Sequence, residues 1–411
     1  MRYARHSLKS FQQARCPFWQ SLVLILCILF GLARFGLAEQ SERKYGPYTL
    51  EEWHQVIKLA NAATLAAPEY VEGLLQIIQD DAAPQPSRRL AAQTLGRIGP
   101  PAQKAVPVFV QYLKSPGEDA EITRLWALKG LALLGVTAHS ACEAVTQLIV
   151  DDDQPFLLRV NAMDTLGRIG VNQPTTVQTL LHIINLPQTD ASDRAFRMHA
   201  VEAMWYLGPV AAPALPTLIR AAQEDWPLMR LAACAALGEI GARAEIAIPL
   251  LADTILFDDA GEVREAAADA LGKIGAAAIP AITHLAEDPD LDVGKLAIRA
   301  AQQQRSNQQI QTLLVKELSE KRSILRVLAA DALLRDSPDH RLAMITLINE
   351  LVSEDRETKR RASEILRILV TTPGAGRDNF VESQSDSRIS PQAKLAGHRI
   401  LDRIDDHSVN R

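Results

Sequence analysis

One twelve-residue motif recurs nine times along the chain, and its spacing restricts the architecture before composition is considered. RRLAAQTLGRIG begins at Arg88, RVNAMDTLGRIG at Arg159, RLAACAALGEIG at Arg230 and REAAADALGKIG at Arg264; looser copies begin at Arg124, Arg197, Gly294, Arg326 and Lys359. Successive starts lie 36, 35, 38, 33, 34, 30, 32 and 33 residues apart, the period of a unit of two helices and two turns. With the first residue of each copy as position 0, position +3 is Ala in all nine, so a close contact is expected there. Position +7 is Leu, Met or Ala and +10 is usually Ile or Leu, which completes one apolar stripe at helical spacing. Position +11 is Gly in six copies (Gly99, Gly135, Gly170, Gly208, Gly241, Gly275), where a left-handed residue ends a helix at least cost.

A second apolar segment follows each stop, for example AVPVFVQYLK, ALPTLIRAAQ, EIAIPLLADTIL and AIPAITHLAED. Pro107, Pro216, Pro249 and Pro280 suit the first turn of a helix, where no intrahelical N–H bond is lost. Acidic turns then lead into the next copy (DDDQP from 151, EDWP from 224, DDAGE from 258, EDPDLD from 287), and their carboxylates can cap free amides at helix starts. The pattern Asp, spacer, V-R-x-x-A-A-x-A-L-G-x-I-G resembles HEAT repeats, especially the bacterial HEAT-like class found in phycobilin lyases, and covers about residues 70 to 370. The resemblance implies an all-α, right-handed α-solenoid (α-α superhelix) of about nine HEAT-like helical hairpins, with the second helices lining a concave face. It also implies an aspartate–arginine ladder between units, here Asp153 with Arg159, Asp225 with Arg230 and Asp259 with Arg264. Copies seven to nine depart from the pattern, with Gly294 in place of Arg and no Gly at +11.

Composition agrees with packed helices: 47% of residues are apolar but only 5% aromatic, so Ala, Leu, Ile and Val carry the burial. The first 38 residues hold five basic side chains (Arg2, Arg5, Lys9, Arg15, Arg34) and no acid. Within them the apolar run from Leu22 to Ala33 is shorter than a membrane-spanning helix requires, and Gly36 and Ala38 are small residues at −3 and −1 of a cut after Ala38. Residues 1–38 therefore read as a signal peptide, or as an N-terminal membrane anchor if Arg34 prevents cleavage, and the protein is expected to be exported, periplasmic or secreted, or held at the membrane by this segment. Without those residues 39 Lys+Arg face 49 Asp+Glu, a balance of −10 that gains nothing from phosphate neutralisation and argues against nucleic acid as a partner. Cys142 and Cys234 fall three units apart, too far for a disulfide, and are expected as small core hydrophobes.

At the ends, residues 39–69 read as a polar segment and capping helix, with TLEEWHQVIKLANAATLA opening on a Thr49 N-cap and Glu52. Residues 70–370 form the solenoid. Residues 371–390 are polar and aperiodic and are expected to be a flexible linker, before a C-terminal helix and tail at 391–411.

No catalytic constellation is legible. None of the nine histidines is followed by Glu or lies in an H-x-x-x-H or H-x-H arrangement, and there is no C-x-x-C-H, no G-x-x-x-x-G-K-[ST] and no G-x-S-x-G. The G-x-x-G strings at +8 and +11 read as helix ends. No cofactor, metal or small-molecule substrate is inferred. Positions +2, +5 and +9 lie opposite the apolar stripe and give Trp126, Lys129 and Leu133, then Asn161, Asp164 and Arg168, then His199, Glu202 and Tyr206. Trp126, Lys129, Asn161, Arg168, His199 and Tyr206 are the candidate protein-binding residues, because aromatics and Arg commonly anchor interfaces. The competing reading has Trp126, Trp205 and Tyr206 filling gaps between alanine-rich helices. A protein-binding scaffold is the expected function; a HEAT-like lyase or accessory subunit handling a chromophore or cofactor is the alternative.

Overall fold

The computed structural model describes residues 43–114, 120–171, 173–187, 190–372 and 374–409. Residues 1–38, expected to be a signal peptide or membrane anchor, lie outside the described residues. The chain divides into two compact units that meet in sequence at Gly170 and Val171.

The first unit opens with an antiparallel hairpin of β1 (Lys44–Tyr45) and β2 (Tyr48–Thr49). Thr49 ends β2 and caps α1 (Leu50–Leu59), accepting from the Glu52 N–H while the Thr49 N–H donates to the Glu52 carboxylate at 2.8 Å, the reciprocal box its spacing predicts. The expected single helix over 49–66 is broken: Asn61 starts a separate turn, α2 (Ala62–Leu65), by accepting the Thr64 N–H at 2.8 Å. Trp53 is buried, donates its indole N–H to the Tyr45 carbonyl at 2.9 Å and packs edge-on against Tyr48 and Tyr70. Three hairpins follow: α3 (Pro68–Gln79) with α4 (Gln85–Ile98), α5 (Val106–Leu113) with α6 (Ala120–Leu134), and α7 (Cys142–Val150) with α8 (Phe156–Ile169).

The second unit continues the alternation. Its hairpins are α9 (Pro174–Ile184) with α10 (Ala191–Leu207), α11 (Leu215–Ala221) with α12 (Pro227–Ile240), α13 (Ile248–Phe257) with α14 (Gly261–Ile274), and α15 (Ile279–Ala286) with α16 (Leu291–Gln302). Then come α17 (Gln308–Glu317) with α18 (Ser323–Asp336), α19 (Arg341–Glu350) with α20 (Arg356–Thr371), and α21 (Ala375–Ser383) with α22 (Pro391–Val409). Within each unit each second helix packs on the next second helix and the helices of each hairpin pack on one another, except that α21 and α22 both dock on α19 and α20, so the fold is an all-α stack of hairpins.

The motif copies are the second helices, and their stripe is the core. All nine +3 alanines are fully buried, and the +7 residues from Leu95 to Leu366 are buried with them. The +8 glycines are a correction to the sequence reading: they lie inside helices, not at their ends. A Cβ on Gly96 would stand 2.6 Å from the Leu133 Cβ, and one on Gly238 would stand 2.9 Å from the Ala270 Cα, so at +8 a missing side chain lets the next second helix approach. The +11 glycines do end helices, but Gly241, at φ 67° and ψ −138°, shows that the backbone adopts the mirror of the extended region and not the αL well. From there a 3-10 segment runs into the next first helix, its alanines buried, as with Ala244 and Ala247. Gly170 is the exception, at φ −90°, and no 3-10 segment follows it. Copies seven to nine have no +11 glycine and no 3-10 segment; Asn307 and His340 cap the following first helices instead. Pro107, Pro216, Pro249 and Pro280 all sit in first turns.

The linker expected at 371–390 is overturned. α21 occupies its centre, with Phe380 fully buried against α19 and α20 and the Asn379 side-chain amide donating to the Pro338 carbonyl at 3.0 Å. Polar composition concealed a helix whose stability comes from docking.

Candidate protein-binding face

Arginine at position 0 joins neighbouring hairpins. In the first unit Arg159 donates to the Ile149 carbonyl at the end of α7 (2.9 Å) and pairs with Asp152 (2.8 Å), not with the expected Asp153. In the second unit Arg230 spans the turn between copies: it donates to the Glu224 and Asp225 carbonyls behind it and forks onto Asp258 of the next copy at 2.7 and 2.8 Å, with Asp259 at 2.7 Å. Arg197 likewise donates to the Ile184 carbonyl and pairs with Glu224 at 2.9 Å, and Arg326 pairs with Glu350. In the second unit the ladder therefore runs one register later than expected, with Asp259 serving Arg230 rather than Arg264 and Asp225 offering Arg230 its carbonyl rather than its carboxylate, whereas Arg159 keeps the expected register with Asp152 in place of Asp153. Burial pushes the Asp258 carboxyl up, but the Arg230 fork and the Ala260 N–H outweigh it and hold the group below the usual aspartate range.

The solvent stripe of the second helices is more divided than its periodicity suggests. Trp126 is buried, only 3% exposed, with its ring 5.0 Å from Tyr112 and 6.5 Å from Phe109 and its indole nitrogen without a hydrogen-bond partner. It is a packing residue and leaves the candidate set; position +2 borders the first helices, whose aromatic rings cover the large side chain. Lys129 and Leu133 are exposed on α6. On the neighbouring α8, Asn161 is half-buried and donates to the Leu157 carbonyl at 2.8 Å, while Arg168 pairs with Asp164 at 3.1 Å. Those residues form one face of the first unit.

In the second unit His199 and Tyr206 are half-buried on α10, with His199 Nδ1 2.7 Å from Glu202. On α10 Trp205 is the more exposed aromatic, 40% exposed and edge-on to Tyr206 at 4.7 Å; the sequence offered it only as a filler. Farther along, the face carries ion pairs between adjacent helices that no single copy reveals. Lys273 meets Glu239 at 2.6 Å, and Arg299 forks onto Asp269 at 2.8 and 2.7 Å while reaching Glu265 at 2.7 Å. These charges are already matched, so a partner on this stretch must replace a protein ligand to use them.

Two groups are chemically quiet. Burial pushes the Cys142 thiol up to about 11 and the Cys234 thiol up to about 12, which leaves both protonated at neutral pH. Among the described residues no group of three or more His, Cys, Asp or Glu is placed to share a metal ion.

Comparison with known proteins follows the repeat. No curated protein matches the chain. Among solved structures, an engineered protein is 20% identical, over 82% of this chain and 98% of that chain, with a TM-score of 0.38. The complex of CpcE and CpcF of phycocyanin lyase from Nostoc sp. PCC7120 is 25% identical, over 59% of this chain and 91% of that one, at a TM-score of 0.34. The Kap95:Nup1 complex is 13% identical, over 84% and 53%, at 0.45. The family model described as HEAT repeats matches residues 71–157, 185–272 and 248–334, more than half of the sequence, and with the stacked hairpins and their buried +3 alanines it establishes that the chain belongs to the HEAT-repeat family.

Proposed function

We propose that the protein is a non-catalytic scaffold of the cell envelope that binds another polypeptide on the solvent face of its second helices. The observation that carries this reading is the face of the first unit, where exposed Lys129 and Leu133 on α6 stand beside half-buried Asn161, Asp164 and Arg168 on α8. It offers an apolar contact among charged and hydrogen-bonding groups on a rigid backbone, the mixture that protein interfaces use. The acidic mature chain and the leader-like residues 1–38 support an extracytoplasmic polypeptide as the partner over nucleic acid.

The test is quantitative capture of envelope proteins by the purified full chain and by the K129E/L133D double variant. The scaffold reading expects a specific partner held by the parent and weakened by about tenfold or more in the variant. Recovery of no partner, or equal affinity in both, would remove it. A visible absorbance band carried by the purified chain would replace it with chromophore handling.

A further inference from the structure

A groove lies beside the contact of the last two second helices of the second unit, α20 and α22, and its charged lining is of one sign. Position +8 is Gly or Ala in copies one, two, three, five and six, Trp205, Gln302 and Leu334 in copies four, seven and eight, and a cation, Arg367, in copy nine alone. A groove of about 580 Å³ lies between α20 and α22, and Arg367 is one of the residues that line it. Its rim carries Arg356, Lys359, Arg360, Arg367 and Arg399 and no acid. All five are exposed; Arg360 has a solvent-exposed pair with Glu364 at 3.3 Å, which costs little to exchange, and the other four make no ion pair among the described residues. Leu351, Val352, Leu395 and Ile400 form the floor, and Leu395 is 55% exposed.

We propose that this groove takes an acidic amphipathic helix of a polypeptide partner, an inference that rests on reading the chain as polypeptide-binding and assigns it a second, charge-selective site. Charge complementarity sets the sign of the occupant. The spacing sets its kind: Arg356, Lys359, Arg360, Ser363 and Arg367 share one face of α20, and eleven residues separate the outer pair, about 16 Å along the axis. One phosphate cannot reach across that length, whereas carboxylates on successive turns of a helix can, and its leucines would cover Leu395 and Val352. The ion pairs around Arg299 and Lys273 show the contrast, since there the protein supplies the acids itself.

The experiment uses the full chain and a fluorescent helix-forming peptide of about 18 residues with leucines on one face and glutamates on the other, its lysine-for-glutamate counterpart, and phosphatidylglycerol vesicles. The expected result is binding of the glutamate peptide, weakening with salt, and a loss on the order of ten- to a hundredfold in R356E/R360E/R367E, which in turn gains affinity for the lysine peptide. L395D should weaken the glutamate peptide without altering its salt dependence. All four positions are exposed, and unchanged circular dichroism melting confirms that the variants fold. K129E/L133D should hold the glutamate peptide as tightly as the parent; equal weakening by that variant overturns the groove while leaving polypeptide binding as such intact. Unchanged affinity after charge reversal overturns it too, as does charge-dependent binding of vesicles without binding of the peptide.

Discussion

Alanine at +3 and tryptophan at +2 show how far a single residue can be read. The alanine was legible because nine copies agree and its environment follows from helical period alone, and all nine are fully buried. Replacing Ala233 by Leu should therefore cost about 1–3 kcal/mol from overpacking, measured by denaturant unfolding; a neutral result would show that the neighbouring second helices yield. Trp126 was misplaced because period assigns a direction to Cα–Cβ but not to the far end of an indole, which here lies among Phe109 and Tyr112. W126A should cost about 3–5 kcal/mol, while the molecules that stay folded keep their affinity for a partner on the face of Lys129 and Leu133. Loss of that affinity without loss of stability would return Trp126 to the interface.

Between elements, the connection that matters is the arginine that ties one turn to the next. Its chemistry was readable from an acidic turn ahead of each V-R or similar start, but its register was not, because Arg230 has acids both behind it and ahead of it in sequence and only packing decides that Asp258 and Asp259 receive it. Removing the cation in R230A leaves the buried Asp258 carboxylate without its fork and should cost about 3–5 kcal/mol at neutral pH. The sign with pH follows from the lowered Asp258 value. Its contribution is present above the ordinary aspartate range near 3.8 and is lost as pH falls through the lower folded value, so D258N should be less stable than the parent at pH 7 and show a shallower further loss between pH 4 and pH 2. Glu317 runs the opposite way: burial against α18 and its surroundings raises its carboxyl despite Arg322 at 3.4 Å. It favours the folded state below its ordinary range, and that contribution disappears as pH rises through the raised value. E317Q should therefore flatten the decline in stability over that interval, read from melting temperatures against pH.

At the scale of the molecule, local repetition made most of the fold legible, and the parts that were not legible are those where stability is borrowed from neighbours. Residues 371–390 carry little apolar content, yet α21 forms because Phe380 fills a site between α19 and α20 and because Asp386 is held by Arg341 and Arg388. The charged groove beyond it is hidden in the sequence for a related reason: its cations lie on two helices, Arg356 to Arg367 on α20 and Arg399 on α22, and only packing brings them to one groove. In a stack whose units contact only their neighbours, damage at one hairpin should stay there. F380A removes the aromatic that seats α21 on α19 and α20 and should destabilise that helix by about 3–5 kcal/mol, enough to open it locally before the rest. Hydrogen exchange distinguishes that outcome from global loss: amides over 375–383 should lose protection while those of α4, α6 and α8 retain theirs. Equal loss over both stretches would mean that the chain unfolds as one cooperative body, and the nearest-neighbour account of its stability would have to be abandoned.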